Sequence, residues 1–398
     1  MGWGGWTPNR RGLLRTAAAS LAAAALGGLA AAGSAGAGRP RPAGTAGGDV
    51  AGIAADEYLS DLAVRRLFRG AALVARGGRV LLGKGYDWAD IAHRAPNTQH
   101  TRFRIASVTK QFTALAVLQL QDRGRLDVRD RLSAYLRSTP PAWRPITLHQ
   151  LLTHTSGIPD YFGLPGFTAI EKQAVTPEQL IALFRDLPLD FPPGTRWSYS
   201  DSGYVLLGHI VSRLTGLSYA GFLQRHVFAP LGLSGTGYDV DHPSPPRHAA
   251  GYTDWHTVAP FIDISVLYAA GALYSTVGDL LRWDRALAAG SPALLSARGL
   301  REAFTPYVST GLPVARSAAY GYGWFIGTEG GRRLYSHVGD INGFVSFNGF
   351  FPDDGLTVVV LSNLESAPDP GDVAAHLAGI TFGYADCREP AGACPEMA

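Results

Sequence analysis

The hydrophobic period of this chain changes twice, and that limits what it can fold into. Ala71 to Ala75 and Arg79 to Lys84 read as strands around the turn signal Gly77-Gly78. From Leu126 to about Tyr238 the pattern is helical and broken by Pro and Gly, as over Thr147–Leu152, Thr176–Phe184 and Tyr204–Leu214. Helices are also read over Asp56–Phe68 and Val277–Ala289. The period then returns to two: Tyr322–Ile326, Arg333–His337, Phe344–Phe351 and Leu356–Leu361 read as strands, with hairpin turns at Gly327–Gly331 and Asp353-Asp354-Gly355. Strands at both ends with helices between them predict an α+β fold, an α/β/α sandwich. Its mainly antiparallel sheet is built from both termini and flanked by helices, with a helical lobe over about 126–250 inserted.

The expected domain spans 53–382. Before it, Arg10-Arg11 precede an apolar, Ala-rich stretch from Ala17 to about Ala32 that ends in small residues. Positive charge, apolar stretch and small-residue end make residues 1–38 an export signal of twin-arginine type. The chain is therefore expected to be exported, to the periplasm or beyond, with no stable membrane span once the signal is removed. Residues 39–52 read as a flexible Gly/Pro linker and 383–398 as a tail. That tail holds both cysteines, Cys387 and Cys394. An oxidising compartment favours a small disulfide loop there; two free thiols are the other reading.

A net charge of +3 on 398 residues, with no basic run interleaved with aromatics past residue 50, argues against a nucleic-acid partner. The eleven histidines form no zinc-ligand spacing. Gly78-x4-Gly83-Lys84 lacks the Ser or Thr of a phosphate loop and lies in a predicted strand. Neither a metal nor a cofactor is implied. The sequence sets no oligomeric state.

Ser107-Val-Thr-Lys110 opens an amphipathic run, Gln111 to Leu120. Residues i and i+3 share a helix face, so the Lys110 amine can lie against the Ser107 oxygen. That is how a weak nucleophile is activated. With three lysines and 24 serines in the chain, such a pair arises by chance roughly one time in six, so context decides. Three further segments supply it: Trp197-Ser-Tyr199-Ser-Asp201-Ser-Gly203-Tyr204, Leu151-Leu-Thr-His154-Thr-Ser-Gly157-Ile-Pro159, and Ser336-His337-Val338-Gly339 at the end of a predicted strand, followed by Asp340.

In that order and spacing these segments, with Gly271-Ala-Leu-Tyr-Ser-Thr276, resemble the serine β-lactamase and penicillin-binding protein-like superfamily. The nearer branch is that of class C β-lactamases, D-alanyl-D-alanine carboxypeptidases and related serine esterases. The resemblance implies a serine hydrolase working without metal or cofactor on a small-molecule or peptide acyl substrate. Ser107 would be the acylated nucleophile, Lys110 would hold or relay its proton, and Tyr199 would act as base and then acid. The backbone N–H groups of Ser107 and Asp340 would form the oxyanion hole. Asp201, His337, Val338 and Gly339 would contact substrate, and His154 would hold a loop.

Asp201 stands where the family pattern has Asn. A carboxylate only accepts hydrogen bonds, so a substrate amide is held less well. Asp201 and Asp340 together are expected to make the site negative, favouring a neutral or cationic ester or amide. A lysine beside Tyr199 is expected to lower the phenol pKa. The readings ranked behind an ester or amide hydrolase are D-alanyl-D-alanine carboxypeptidase or β-lactamase, and a non-catalytic cell-wall or peptide-binding member of the same fold.

Overall fold

The computed structural model describes residues 46–239 and 247–384. The expected export signal and both cysteines lie outside the described residues.

Eight strands form the main sheet: β1 (Gly70–Arg76), β2 (Arg79–Tyr86), β3 (Val308–Ser309), β4 (Ala319–Tyr320), β5 (Phe325–Glu329), β6 (Arg332–Ile341), β7 (Phe344–Phe351) and β8 (Leu356–Ser362). Their order is β2-β1-β8-β7-β6-β5-β4-β3, and every neighbouring pair is antiparallel. The two ends of the chain meet where β1 pairs with β8, Gly70 opposite Ser362. All seven residues of β8, Leu-Thr-Val-Val-Val-Leu-Ser, are buried. Such a β-branched run suits a strand covered on both faces.

Helices supply the two covers. On one face α1 (Ala46–Val64) and α8 (Pro370–Phe382) bring Leu59, Leu62, Val373 and Leu377 onto Ala72, Val74, Val358 and Val360. On the other, α2 (Thr109–Asp122) and the inserted helices bring Phe112, Leu115 and Leu118 onto Ala71, Leu73, Val359 and Leu361. Each such side chain fully buried contributes about 1.5–3 kcal/mol. The insertion includes α3 (Leu148–Leu152), α4 (Pro177–Phe184) and α5 (Asp201–Thr215), followed by α6 (Tyr268–Gly271) and α7 (Val277–Ala288). Capping boxes start α3 at Thr147 and α4 at Thr176, as their Gln at the third position requires.

Four expectations change. The linker expected over 39–52 yields to helix from Ala46: a Cβ on Gly52 would lie 2.4 Å from the Leu81 carbonyl oxygen, so this glycine seats α1 on β2. Helix α2 is not amphipathic, because it runs between sheet and lobe with every residue from Thr109 to Leu120 buried. The strand expected over 322–326 begins only at Phe325, after Gly323 turns at φ +80° against the Lys110 carbonyl. The strand expected to close at His337 continues to Ile341.

Candidate active site

Ser107 lies on a 3-10 turn, Ala106–Val108, just before α2 rather than within its first turn. Among residues 105–120 it is the one that is not buried. Ala106 holds φ at +45°, a conformation that costs a residue with a Cβ energy and is found where surrounding structure enforces it. Several contacts enforce it here. The Ile105 N–H donates to Leu273 O (3.0 Å), and the Ser346 hydroxyl donates to Ile105 O (2.9 Å). Gly339 of β6 lets this turn approach the sheet, since a Cβ there would sit 2.2 Å from Ile105 O.

Lys110, one turn on, is fully buried. Its Nζ donates to Ser107 Oγ (3.0 Å), to Ala270 O at α6 (2.9 Å) and to the Asp201 carboxylate. Three acceptors match the three N–H donors of a lysine ammonium. Burial pulls the Lys110 pKa below the usual lysine value, and the Asp201 charge opposes that pull.

Tyr199 reaches the same serine by a hydrogen bond between its hydroxyl and the Ser107 side chain. The structure thus brings Ser107 and Lys110 together with Tyr199 and Asp201 from two separate parts of the chain. It corrects the expected phenol, however. The Tyr199 pKa is raised well above its usual value, by burial first and then by Asp201. Burial and Asp201 outweigh any lowering by Lys110, whose Nζ lies 4.8 Å from the ring centroid. Tyr199 is thus a phenol at rest.

His154 shapes this segment. Its carbonyl accepts from Ser198 N (2.9 Å), its Nδ1 accepts from Ser200 N (3.2 Å), and its ring lies 4.4 Å from that of Tyr199. This is the loop-holding role read from sequence. Burial, with Lys110 and His337 nearby, lowers its pKa well below the usual value and keeps it neutral.

The residues assigned to substrate have partners within the protein. Asp201, the first residue of α5, gives its carboxylate to Lys110. His337 is 1% exposed and has both ring nitrogens engaged, Nε2 with the Tyr320 hydroxyl (3.0 Å) and Nδ1 with Val338 O (2.6 Å). Burial and Lys110 bring its pKa down to about 3, so it too is neutral. The side chain of Val338 packs on the α1/α8 face, and Gly339 seats the nucleophile turn. Beside the site β5 pairs with β6 only as far as Ser336.

Asp340 is corrected in a different way. Its neighbour Gly339 faces the Ser107 turn, so strand alternation sends the Asp340 side chain to the opposite face. Its pKa rises to about 7 through burial and the nearby Glu365 and Asp369. Only its backbone contributes to the site, and its carboxylate does not make the site negative.

Sequence reasoning missed Asp160. Its carboxylate accepts the Asp201 N–H (3.0 Å), and burial together with Asp201 raises its pKa. Asp160 and Asp201 are 41 residues apart, and no local pattern marks an acid for burial.

A cavity of about 20 Å3 opens at Ser107. It is lined by Ala106, Phe162, Asp201, Leu267, Ala270, Gly271 and Asp340 as well as the serine. Among the described residues no Lys or Arg lines it.

A helix-covered antiparallel sheet, with a Ser-x-x-Lys pair and a tyrosine meeting beside β6, defines the penicillin-recognising class of folds. The chain belongs to the Beta-lactamase family, whose model matches residues 55–381. A Bacillus subtilis relative named for penicillin binding, PbpX, is 33% identical over 319 residues, covering 79% of this chain and 75% of that protein. The solved penicillin-binding protein of Bacillus halodurans superposes with a TM-score of 0.71 at 30% identity, over 81% of this chain and 98% of that one. A D-stereospecific amidohydrolase from Streptomyces sp. superposes with a TM-score of 0.69 at 29% identity, over 83% and 98%.

Proposed function

We propose that this protein is an exported serine hydrolase that cleaves an ester or amide through an acyl-enzyme on Ser107. One observation carries the reading: the Ser107 oxygen is hydrogen-bonded to both Lys110 and Tyr199 on the one unburied residue of an otherwise buried segment.

The chemistry follows from the two groups. Lys110 rests as an ammonium against Asp201; burial lowers its pKa, and in its neutral form it takes the Ser107 proton as Oγ bonds to the substrate carbonyl carbon. The ammonium so formed lies against Asp201, which stabilises it. Negative charge on the carbonyl oxygen meets the backbone N–H groups of Ser107 and Asp340, donors worth about 3 kcal/mol each in such sites. Tyr199, a phenol at rest, gives its proton to the leaving group as the carbonyl bond to that group breaks, and regains one from Lys110. Water then attacks the acyl-enzyme, releasing the acid and restoring the Ser107 hydroxyl.

The absence of a cation among the described lining residues disfavours a substrate with a carboxylate beside the scissile bond. The likeness to an amidohydrolase supports testing amides beside esters. D-alanyl-D-alanine peptides and β-lactams rank behind them. The test is a fluorophosphonate and a fluorescent penicillin, followed by p-nitrophenyl esters, amino-acid amides, nitrocefin and D-alanyl-D-alanine peptides. A labelled band lost in Ser107→Ala, with ester or amide turnover above nitrocefin turnover, supports the reading. No labelling by any acylating probe overturns it in favour of a binding protein.

A further inference from the structure

Besides Ser107, Asp201 and Asp340, the cavity is lined by small and apolar residues: Ala106, Phe162, Leu267, Ala270 and Gly271. Its volume, about 20 Å3, is close to what one water molecule needs, and a methyl group is of similar size. The walls are not easily moved. Leu267 and Ala270 are buried. Phe162 is braced by Phe167, with ring centroids 4.3 Å apart, and by Tyr161 at 5.0 Å.

Tyr199 does not line this cavity. The leaving group must pass within reach of the phenol that protonates it, so the cavity receives the other half of the substrate, the part that stays on Ser107. We infer that the enzyme is specific for short uncharged acyl groups, acetyl in size, with Phe162 and Gly271 setting the limit. The inference rests on the acyl-enzyme reading above and names the acyl group that reading leaves open.

Gly271 gives a way to close the cavity without disturbing the fold. Its φ lies outside the left-handed region, and an added Cβ would stand 3.4 Å from Leu267 Cβ and 3.6 Å from the Ala106 carbonyl carbon, at the edge of ordinary contact. Alanine there would fill the space a substrate methyl needs. Phe162 gives the opposite change, because Phe162→Ala removes a wall and lengthens the space.

The experiment measures kcat/KM for p-nitrophenyl acetate, butanoate and octanoate with the full chain, Gly271→Ala, Phe162→Ala and Ser107→Ala. A single methylene in an apolar pocket is worth about 10-fold or more. Wild type should therefore favour acetate over butanoate by at least roughly 10-fold, with octanoate lower still. Gly271→Ala should lose acetate turnover by a similar factor while its melting temperature holds. Phe162→Ala should raise butanoate relative to acetate by roughly 10-fold; should it fold poorly, Phe162→Leu tests the same wall with a smaller shift. Ser107-dependent turnover with a flat or long-chain profile, or acetate turnover unchanged in Gly271→Ala, overturns the acyl limit and leaves the hydrolase standing. No Ser107-dependent turnover of any ester or amide removes the hydrolase reading itself.

Discussion

Lys110 and Gln111 are neighbours on α2, yet they enter two buried polar groups that handle charge in opposite ways. Lys110 faces the lobe and meets Ser107, Asp201 and Ala270 O. Gln111 faces the sheet, where its Oε1 accepts from Trp283 Nε1 (3.2 Å) and Asn348 Nδ2 (3.1 Å). Asn348 Nδ2 also donates to Asp284 (2.8 Å), a fully buried acid of α7. Asp201 has a cation against it. Asp284 has only an amide, and burial raises its pKa well above the carboxylate range, so the fold keeps it protonated. The difference teaches that one helix faces two buried acids met in different ways, Asp201 by the Lys110 amine beside the nucleophile and Asp284 by an amide alone.

The largest effect should come from breaking the charged group. Lys110→Met leaves Asp201 uncompensated, which should cost about 3–5 kcal/mol of stability in urea unfolding. It should also lower ester turnover by at least roughly 100-fold. Asp201→Asn is milder, since Lys110 can shed its proton. It removes a charge-assisted hydrogen bond worth about 1.5–3 kcal/mol from the ammonium formed on attack, so acylation should slow by roughly 10- to 100-fold. It also removes the influence that raises the Lys110 pKa, so the acid limb of the pH–rate profile should move to lower pH. An unchanged limb would mean Lys110 is not the group that titrates.

The neutral histidines sharpen the comparison. The unfolded chain binds a proton at His337 below about pH 6.5, whereas the folded chain does so only near pH 3. More protons on the unfolded state mean that stability falls as pH drops from 6.5 towards 3, by up to about 1.4 kcal/mol per pH unit for this residue. His337→Gln should flatten that slope in melting curves between pH 7 and 5. The smallest effect is expected from Asp284→Asn. An amide replacing a protonated carboxyl should change stability by less than about 1 kcal/mol, while Asp284→Leu strands the Asn348 N–H at about 1–3 kcal/mol. If Asp284→Asn proved as damaging as Lys110→Met, Asp284 would be charged and the contrast would fail.

Much of this was legible in the sequence, for physical reasons that differ by element. Turns at Gly77-Gly78 and Asp353-Asp354-Gly355 announce themselves by conformational need, and helix starts at Thr147 and Thr176 by their caps. Ser107 and Lys110 stand three apart on one turn, so their meeting is local. Asp340 shows what was not legible. Reading β6 as ending at His337 made Asp340 a rim residue with a carboxylate at the site. Four more residues of strand fix its side chain on the other face by alternation alone. Strand ends depend on what packs against them, here Ile105 on Gly339, and that contact spans the chain. Asp160 was illegible for the same reason.

The central claim is that the Ser107 oxygen carries the acyl group, and trapping that group tests it most directly. The full chain is mixed with p-nitrophenyl acetate, quenched in acid within the first turnover, and digested for peptide mass analysis. The account predicts one acetyl group on the peptide holding Ser107, none in Ser107→Ala, and its loss on longer incubation as water completes the cycle. Turnover that persists in Ser107→Ala, or an acetyl group found on another residue, would contradict it.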